Sequence, residues 1–166
     1  AGRMDFLGVN YYSRNIIPGS AKSFLPQMSP LLTFNVLTME YDWQYARGLY
    51  EVLSSVKDYG VPLIVTETGV EDGSDSGAAS RWVVESLTWV KRAIAEGIPV
   101  EGYYYWTLLD NYEWNHGMNV KMGLYAVDPK DPSKRRQARS SALTYGKVAA
   151  MGGIPADLAM RFPIAK

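Results

Sequence analysis

Pro62-Leu63-Ile64-Val65-Thr66-Glu67-Thr68-Gly69 is the stretch from which the fold can be read. Three bulky apolar residues behind a proline form a short run suited to a buried strand, and Gly69, Gly73 and Gly77 mark the loop that follows. Upstream, Leu49, Val52, Leu53 and Val56 fall at helical spacing, with Gly60 as a stop. Downstream, Val83, Leu87, Val90 and Ile94 form a second amphipathic stripe, ended by Gly97 and Pro99. Residues 6–10 read as an earlier strand, and residues 100–106, rich in tyrosine, as a later one. Residues 137–151 read as a last helix stopped by Gly152-Gly153, and a long irregular stretch holding Pro18, Pro26 and Pro30 follows the first strand. The order is βα-βα-βα, which predicts parallel strands, right-handed crossovers and helices packed outside. In barrels built this way the functional residues sit where strands end, and Asn10, Glu67 and Trp106 all fall on that edge.

Composition narrows the chemistry. The 166 residues suffice for one compact domain, and 47% of them are apolar. The 17 basic and 17 acidic side chains cancel, so no net field favours nucleic acid or an anionic membrane. The chain has no cysteine and a single histidine, His116, which excludes thiol chemistry and an ordinary multi-histidine metal site. No cofactor is implied. No apolar run approaches the roughly 20 residues that span a bilayer, and the N-terminus has no signal-peptide pattern, so a cytoplasmic location is the default expectation. The 12 tyrosines and 5 tryptophans suit packing, interfaces and sugar-stacking surfaces alike.

Three segments give the chain a resemblance to family 1 of the glycoside hydrolases, the β-glucosidase-like retaining β-glycosidases. Asp5-Phe6-Leu7-Gly8-Val9-Asn10-Tyr11-Tyr12 resembles the family's sixth strand. Ile64-Val65-Thr66-Glu67-Thr68-Gly69 resembles its seventh-strand nucleophile motif. Gly102-Tyr103-Tyr104-Tyr105-Trp106-Thr107-Leu108-Leu109-Asp110-Asn111-Tyr112-Glu113-Trp114 resembles the eighth strand and its loop, and is the most specific of the three. Met122-Gly123-Leu124-Tyr125-Ala126-Val127-Asp128 and Ser141-Ala142-Leu143-Thr144-Tyr145 continue the similarity in order. The resemblance implies an α/β fold: a partial (β/α)8 TIM barrel made of roughly the last three βα units, strands six to eight, with residues 1–166 as a single incomplete domain.

The resemblance also implies roles. Glu67 matches the nucleophile, since a carboxylate is ordinarily ionised at neutral pH and attacks an anomeric carbon without a base. On the residue pattern alone, Glu67 reads as readily as an acid that satisfies loop amides. Tyr12 matches a tyrosine whose phenol donates to the nucleophile, which orients the carboxylate and favours its charged form. Asn10 lies beside the same site, either arranging its hydrogen bonds or serving as a structural amide. Glu113 and Trp114 match a pair that reads the hydroxyls of the non-reducing sugar, and Trp106 offers a flat face to its C–H surface. A carboxylate at Glu113 argues against sugars phosphorylated at that end. The expected partner is therefore a β-glycoside or monosaccharide.

Departures accompany the match. Thr68 stands where the family usually has asparagine and Met122 where an aromatic is common, and both are expected close enough to the site to alter substrate fit. Asp42-Trp43-Gln44-Tyr45-Ala46-Arg47-Gly48-Leu49-Tyr50 only loosely resembles an aglycone-side segment of the family. His116 is expected in a solvated loop. The family's Asn-Glu-Pro acid/base motif does not occur in the sequence. The chain thus reads as a piece of a barrel, expected to associate with a missing N-terminal portion or with itself, because three strands cannot close a barrel. Its proton donor would come from another chain or from Glu40, Asp42, Glu71 or Asp72. Three functional classes remain open at this stage: a retaining β-glycosidase, a non-catalytic sugar-binding or assembly module, and a purely structural fragment.

Overall fold

The structure is a computed structural model that describes residues 2–16, 40–42 and 44–164. Pro18, Pro26, Pro30 and Trp43 lie outside the described residues. At its centre are three parallel strands, β1 (Leu7–Asn10), β4 (Leu63–Thr68) and β5 (Val100–Tyr105), hydrogen-bonded in the order β1-β4-β5. Between β1 and β4 come β2 (Arg14–Ile16) and β3 (Glu40–Asp42), an antiparallel pair, and then helix α1 (Arg47–Val56). Helix α2 (Ala78–Ala95) connects β4 to β5. After β5, a long loop leads to the antiparallel pair β6 (Tyr125–Val127) and β7 (Arg136–Ala138), then to helices α3 (Ser140–Met151) and α4 (Ala156–Arg161).

The predicted βα alternation is what the sheet needs, because parallel strands are joined by crossovers that leave helices on a face. The apolar stripe of α1 is buried at Leu49 and Leu53, both 0% exposed, and a short 3-10 turn (Lys57–Tyr59) ends at Gly60 in the left-handed region. Helix α2 buries Trp82, Val83, Val90 and Ala93 against the same side of the sheet, where they meet Val9, Leu63 and Val65. A smaller cluster of Val84, Val148, Leu158 and Phe162 attaches α3 and α4 to the far side of α2. The first turn of α2 is capped by the buried carboxylate of Asp72, which accepts from the amides of Ser76, Gly77 and Ala79.

Among the described residues, only one face of the sheet is covered by helices. Gly8, Asn10, Thr66 and Tyr104 lie exposed on the other, where a Cβ on Gly8 would touch the Thr66 side chain and one on Gly102 would touch Ile64 and Tyr104. Among the described residues, β1 and β5 each have a strand neighbour on one side only.

Two details differ from the sequence expectation. The helix expected last, over residues 137–151, begins at Ser140, because Arg136, Gln137 and Ala138 pair with β6 as a strand, and it is followed by the further short helix α4. Thr68, expected close enough to the site to alter substrate fit, follows Glu67 in the chain but buries its side chain fully on the helix side of β4, where it accepts a hydrogen bond from the Trp82 indole at 3.0 Å.

Candidate functional site

The site begins with an irregularity in β4. Val65 pairs with Val9 and with Tyr103, but the next partners are Asn10 with Glu67 on one side and Tyr105 with Thr68 on the other. Strand β4 therefore uses one residue more than either neighbour between Val65 and Thr68, which is a β-bulge. Regular alternation would place Glu67 on the face of Val65, among the helices. The bulge keeps Val65 and Thr68 buried on that face and releases Thr66 and Glu67 to the open one. A buried carboxylate without partners is costly, so this change of parity is what makes an acid tolerable at this position.

On the open face, the Tyr12 hydroxyl donates to Glu67 Oε2 at 2.8 Å. Burial, the hydrogen bond to Glu67 and the charges of Glu67 and Glu113 together push the Tyr12 phenol well above its ordinary value. Tyr12 is thus a fixed donor, and Glu67 an acceptor held in one orientation. The backbone reinforces the pair, with the Tyr11 amide donating to the Glu67 carbonyl at 2.9 Å. Gly69 lets the chain leave β4 close to the end of β5, since a Cβ there would lie 2.1 Å from the Trp106 carbonyl oxygen.

Residues 106–122 build the other wall. The Trp106 indole donates to Glu113 Oε1 at 3.0 Å, which orients that carboxylate and leaves its second oxygen available. Trp114 starts a 3-10 turn (Trp114–His116) with φ of 44°, a left-handed conformation uncommon for a non-glycine residue, and its side chain is 87% exposed. Beneath this loop, the Asp110 carboxylate accepts from both terminal nitrogens of Arg139, at 3.0 and 2.9 Å, and from the Gly123 amide. Burial alone would raise the Asp110 carboxyl, but the Arg139 fork and the Gly123 amide outweigh it and hold the group below the usual carboxylate range. This buried pair ties the loop to the N-terminus of α3.

Tyr12, Glu67, Trp106, Glu113 and Trp114 converge on one open depression of about 840 Å³, which Asn111, Tyr112 and Met122 also line. Five of the six residues singled out from sequence are therefore brought together. Asn10 is not part of the lining. It pairs with Glu67 in register, but its Oδ1 accepts from the Thr66 hydroxyl at 2.7 Å. Met122, expected near the site, lines the depression. Asp72 is used in capping α2, and the exposed Glu71 accepts from the Gly73 amide. Glu40 and Asp42 fall on β3, whose side chains are outside the description. His116 is exposed, as expected. Among the described residues, no three His, Asp or Glu side chains gather as a metal site would require, and no helix is long and apolar enough to cross a membrane. The sequence reading did not single out Trp82 or Tyr11, since aromatics in apolar stripes carry no signal beyond packing.

Comparison with known proteins gives matches along nearly the whole chain. The profile of Glycosyl hydrolase family 1 matches residues 1–154. A β-galactosidase of Sulfolobus acidocaldarius is 36% identical over 166 residues, covering 94% of this chain and 33% of the relative. The solved β-glycosidase from Thermosphaera aggregans superposes with a TM-score of 0.78 at 39% identity, covering 99% of this chain and 36% of that one. The β-glycosidase from Pyrococcus horikoshii gives a TM-score of 0.79 at 30% identity, over 98% of this chain and 38% of that one. The chain spans about a third of the length of the curated relatives it matches. Its parallel strands and outer helices fit part of the barrel of these glycosidases. The chain belongs to glycosyl hydrolase family 1.

Proposed function

We propose that this member of glycosyl hydrolase family 1 carries the nucleophile half of a retaining β-glycosidase site, with Glu67 as the nucleophile. The observation that supports this most is the 2.8 Å hydrogen bond from Tyr12 to Glu67 at the floor of a depression walled by Trp106, Glu113 and Trp114. In the reaction, a Glu67 oxygen forms a bond to the anomeric carbon while the glycosidic C–O bond breaks, its electron pair leaving with the aglycone oxygen. Water, giving a proton to the group that had protonated the aglycone, then attacks the same carbon, and the ester C–O bond breaks to release the sugar and restore the carboxylate. Glu113 accepts from adjacent sugar hydroxyls, the Trp114 indole donates to another, and Trp106 covers the C–H face. A β-glucoside or β-galactoside is the substrate class, in keeping with the names of the relatives.

Protonation of the leaving oxygen requires a second carboxyl group about 5–5.5 Å from the first. Glu113 is held by the Trp106 indole in a substrate-binding role, so the acid/base belongs to another segment. Residues 1–166 are on this reading one incomplete domain, strands six to eight of the barrel, and the open edges of β1 and β5 receive the remaining strands or a second copy. Light scattering that finds a stable monomer at micromolar concentration, unchanged by added N-terminal barrel segment, would remove this part of the proposal.

A donor that needs no acid tests the nucleophile alone. A 2-deoxy-2-fluoro-β-glucoside with a dinitrophenolate leaving group departs without protonation, and the fluorine slows release, so a glycosyl ester accumulates. The expected result is one added fluoroglucosyl group, mapped by peptide mass spectrometry to Glu67 and absent from Glu67→Gln. Label elsewhere, or label undiminished in Glu67→Gln, counts against the assignment. Sugar binding by calorimetry without any ester would favour a non-catalytic sugar-binding module instead.

A further inference from the structure

We propose that Trp82, on the helix side of the sheet, is a positioning residue that sets the Tyr12–Glu67 hydrogen bond through the chain neighbours of both partners. As a contribution to reactivity this rests on Glu67 being the nucleophile; as a statement about geometry it does not. Trp82 is 2% exposed and does not line the depression onto which Tyr12 and Glu67 open. Its indole N–H donates to Thr68 Oγ1 at 3.0 Å, and its ring stacks on Tyr11 with centroids 6.1 Å apart and planes 10° apart. Thr68 follows Glu67 and Tyr11 precedes Tyr12, so one rigid indole bears on both halves of the functional pair.

The two attachments do different work. The Thr68 bond selects the bulge. With regular alternation in β4, Thr68 would turn away from α2 and leave the buried indole N–H without an acceptor, while Glu67 would turn inward to the helices. The Tyr11 contact sets the height of the β1 end. Tyr11 cannot move toward α1, because its hydroxyl donates to the Tyr45 carbonyl at 2.7 Å and a Cβ on Gly48 would already lie 1.9 Å from that oxygen. Tyr11 in turn passes its amide to the Glu67 carbonyl. Trp82 is thus the common wall against which both strand ends are registered, and a short charge-assisted hydrogen bond tolerates about half an ångström of error in that register.

A purely packing role for Trp82 makes a different prediction, because phenylalanine keeps the stacked ring and removes only the N–H. The test uses the full chain with glutamate labelled at 13Cδ, the Glu67 resonance being identified by its loss in Glu67→Gln. Tyr12→Phe defines the direction in which that resonance moves when the hydrogen bond is lost. Trp82→Phe and Thr68→Val are each expected to move it the same way by a smaller amount, and the double variant no further than either alone. Thr68→Ser, which keeps the hydroxyl, is expected to leave it near its original position. With the fluoroglucoside donor, the trapping rate constant at saturation should fall about tenfold in Trp82→Phe and in Thr68→Val, at an unchanged half-saturating concentration. A Glu67 resonance that stays in place in folded Trp82→Phe and Thr68→Val overturns the proposal, as does a Thr68→Ser shift equal to that of Thr68→Val. If the unmodified chain takes no label, the nucleophile assignment falls, while the resonance still decides the role of Trp82. Should Trp82→Phe not fold, Thr68→Val carries the same test with the indole in place.

Discussion

On the helix side of the sheet, Val9, Leu63, Val65 and Thr68 are sealed under α1 and α2, whereas on the other side Gly8, Asn10, Thr66 and Tyr104 are open to solvent. The same strands produce both faces, so the difference lies in what the chain provides to cover them. Each fully buried aliphatic side chain contributes about 1.5–3 kcal/mol of burial, and the covered side holds nearly all of these. The open side holds the candidate site residues Tyr12 and Glu67. The buried core and the candidate site are thus separated across the thickness of a sheet, and the bulge at Thr66 and Glu67 is the point where the chain passes from one to the other. The loop after β5 needs its own anchor, since it rests on no helix stripe, and the buried Asp110–Arg139 pair supplies it.

The largest effect should come from breaking that anchor. Arg139→Met leaves the Asp110 carboxylate buried with the Gly123 and Val127 amides but without its counter-charge, and should lower unfolding free energy by about 3–5 kcal/mol. Urea denaturation at pH 7 measures this. Acid should shrink the difference, and the sign follows from the direction of the Asp110 shift. Its carboxyl is held below the ordinary value of about 3.9. The stabilisation is therefore complete above that value and disappears as pH falls through the lower, folded one. Without Arg139, burial dominates and favours the protonated acid, so the variant is relieved as pH falls. The gap in urea midpoint between the two proteins should be wider at pH 7 than at pH 4; a constant gap would place the stabilisation elsewhere.

Next in size is a cavity on the covered face. Leu53 is 0% exposed, and Leu53→Ala should cost about 2–5 kcal/mol, read as a lower midpoint with an unchanged urea slope. This residue belongs to the part of the molecule that was legible in sequence. The stripe of Leu49, Val52, Leu53 and Val56, the proline before Leu63 and the glycine after α1 located the helices and strands because burial on one face imposes a period. The bulge was not legible, since nothing in Thr66-Glu67 distinguishes it from regular alternation. The motif singles out Glu67 but not the parity that exposes it, nor the face on which the next residue, Thr68, is buried. Gln137 and Ala138 read as helix because no proline or glycine separates them from Ser140, and the pairing of Arg136, Gln137 and Ala138 with β6 is a contact made across the loop at 128–135. Helix α4 has only six residues, too few for a periodic signal.

Gly69→Ala should act between the two faces. The added Cβ meets the Trp106 carbonyl at 2.1 Å, and neither backbone can yield as a side chain end would. Overpacking of this kind costs about 1–3 kcal/mol. Because the displaced groups are the ends of β4 and β5, the loss of fluoroglucoside labelling should exceed what the fall in folded fraction explains. Thermal melting and intact-mass kinetics on one sample separate the two. A labelling rate that merely follows the folded fraction would mean the strand ends reposition together without disturbing Glu67.

The smallest effect belongs to the open face, and its smallness is informative. Tyr104 is 61% exposed, and its ring lies beside Gly102. Tyr104→Ser should change the stability of the isolated chain by no more than about 0.5 kcal/mol, as exposed substitutions usually do. On the covered face, losing a comparable ring would remove a large buried area. If the remaining barrel strands are added and close over the inner face, Tyr104 becomes interior, and the same substitution should then weaken association. A substitution that is silent alone and disruptive in the assembly would show that the inner face is a core awaiting its other half. One that destabilises the isolated chain by several kcal/mol would show instead that the chain already covers this face, and the contrast between the two sides of the sheet would not hold.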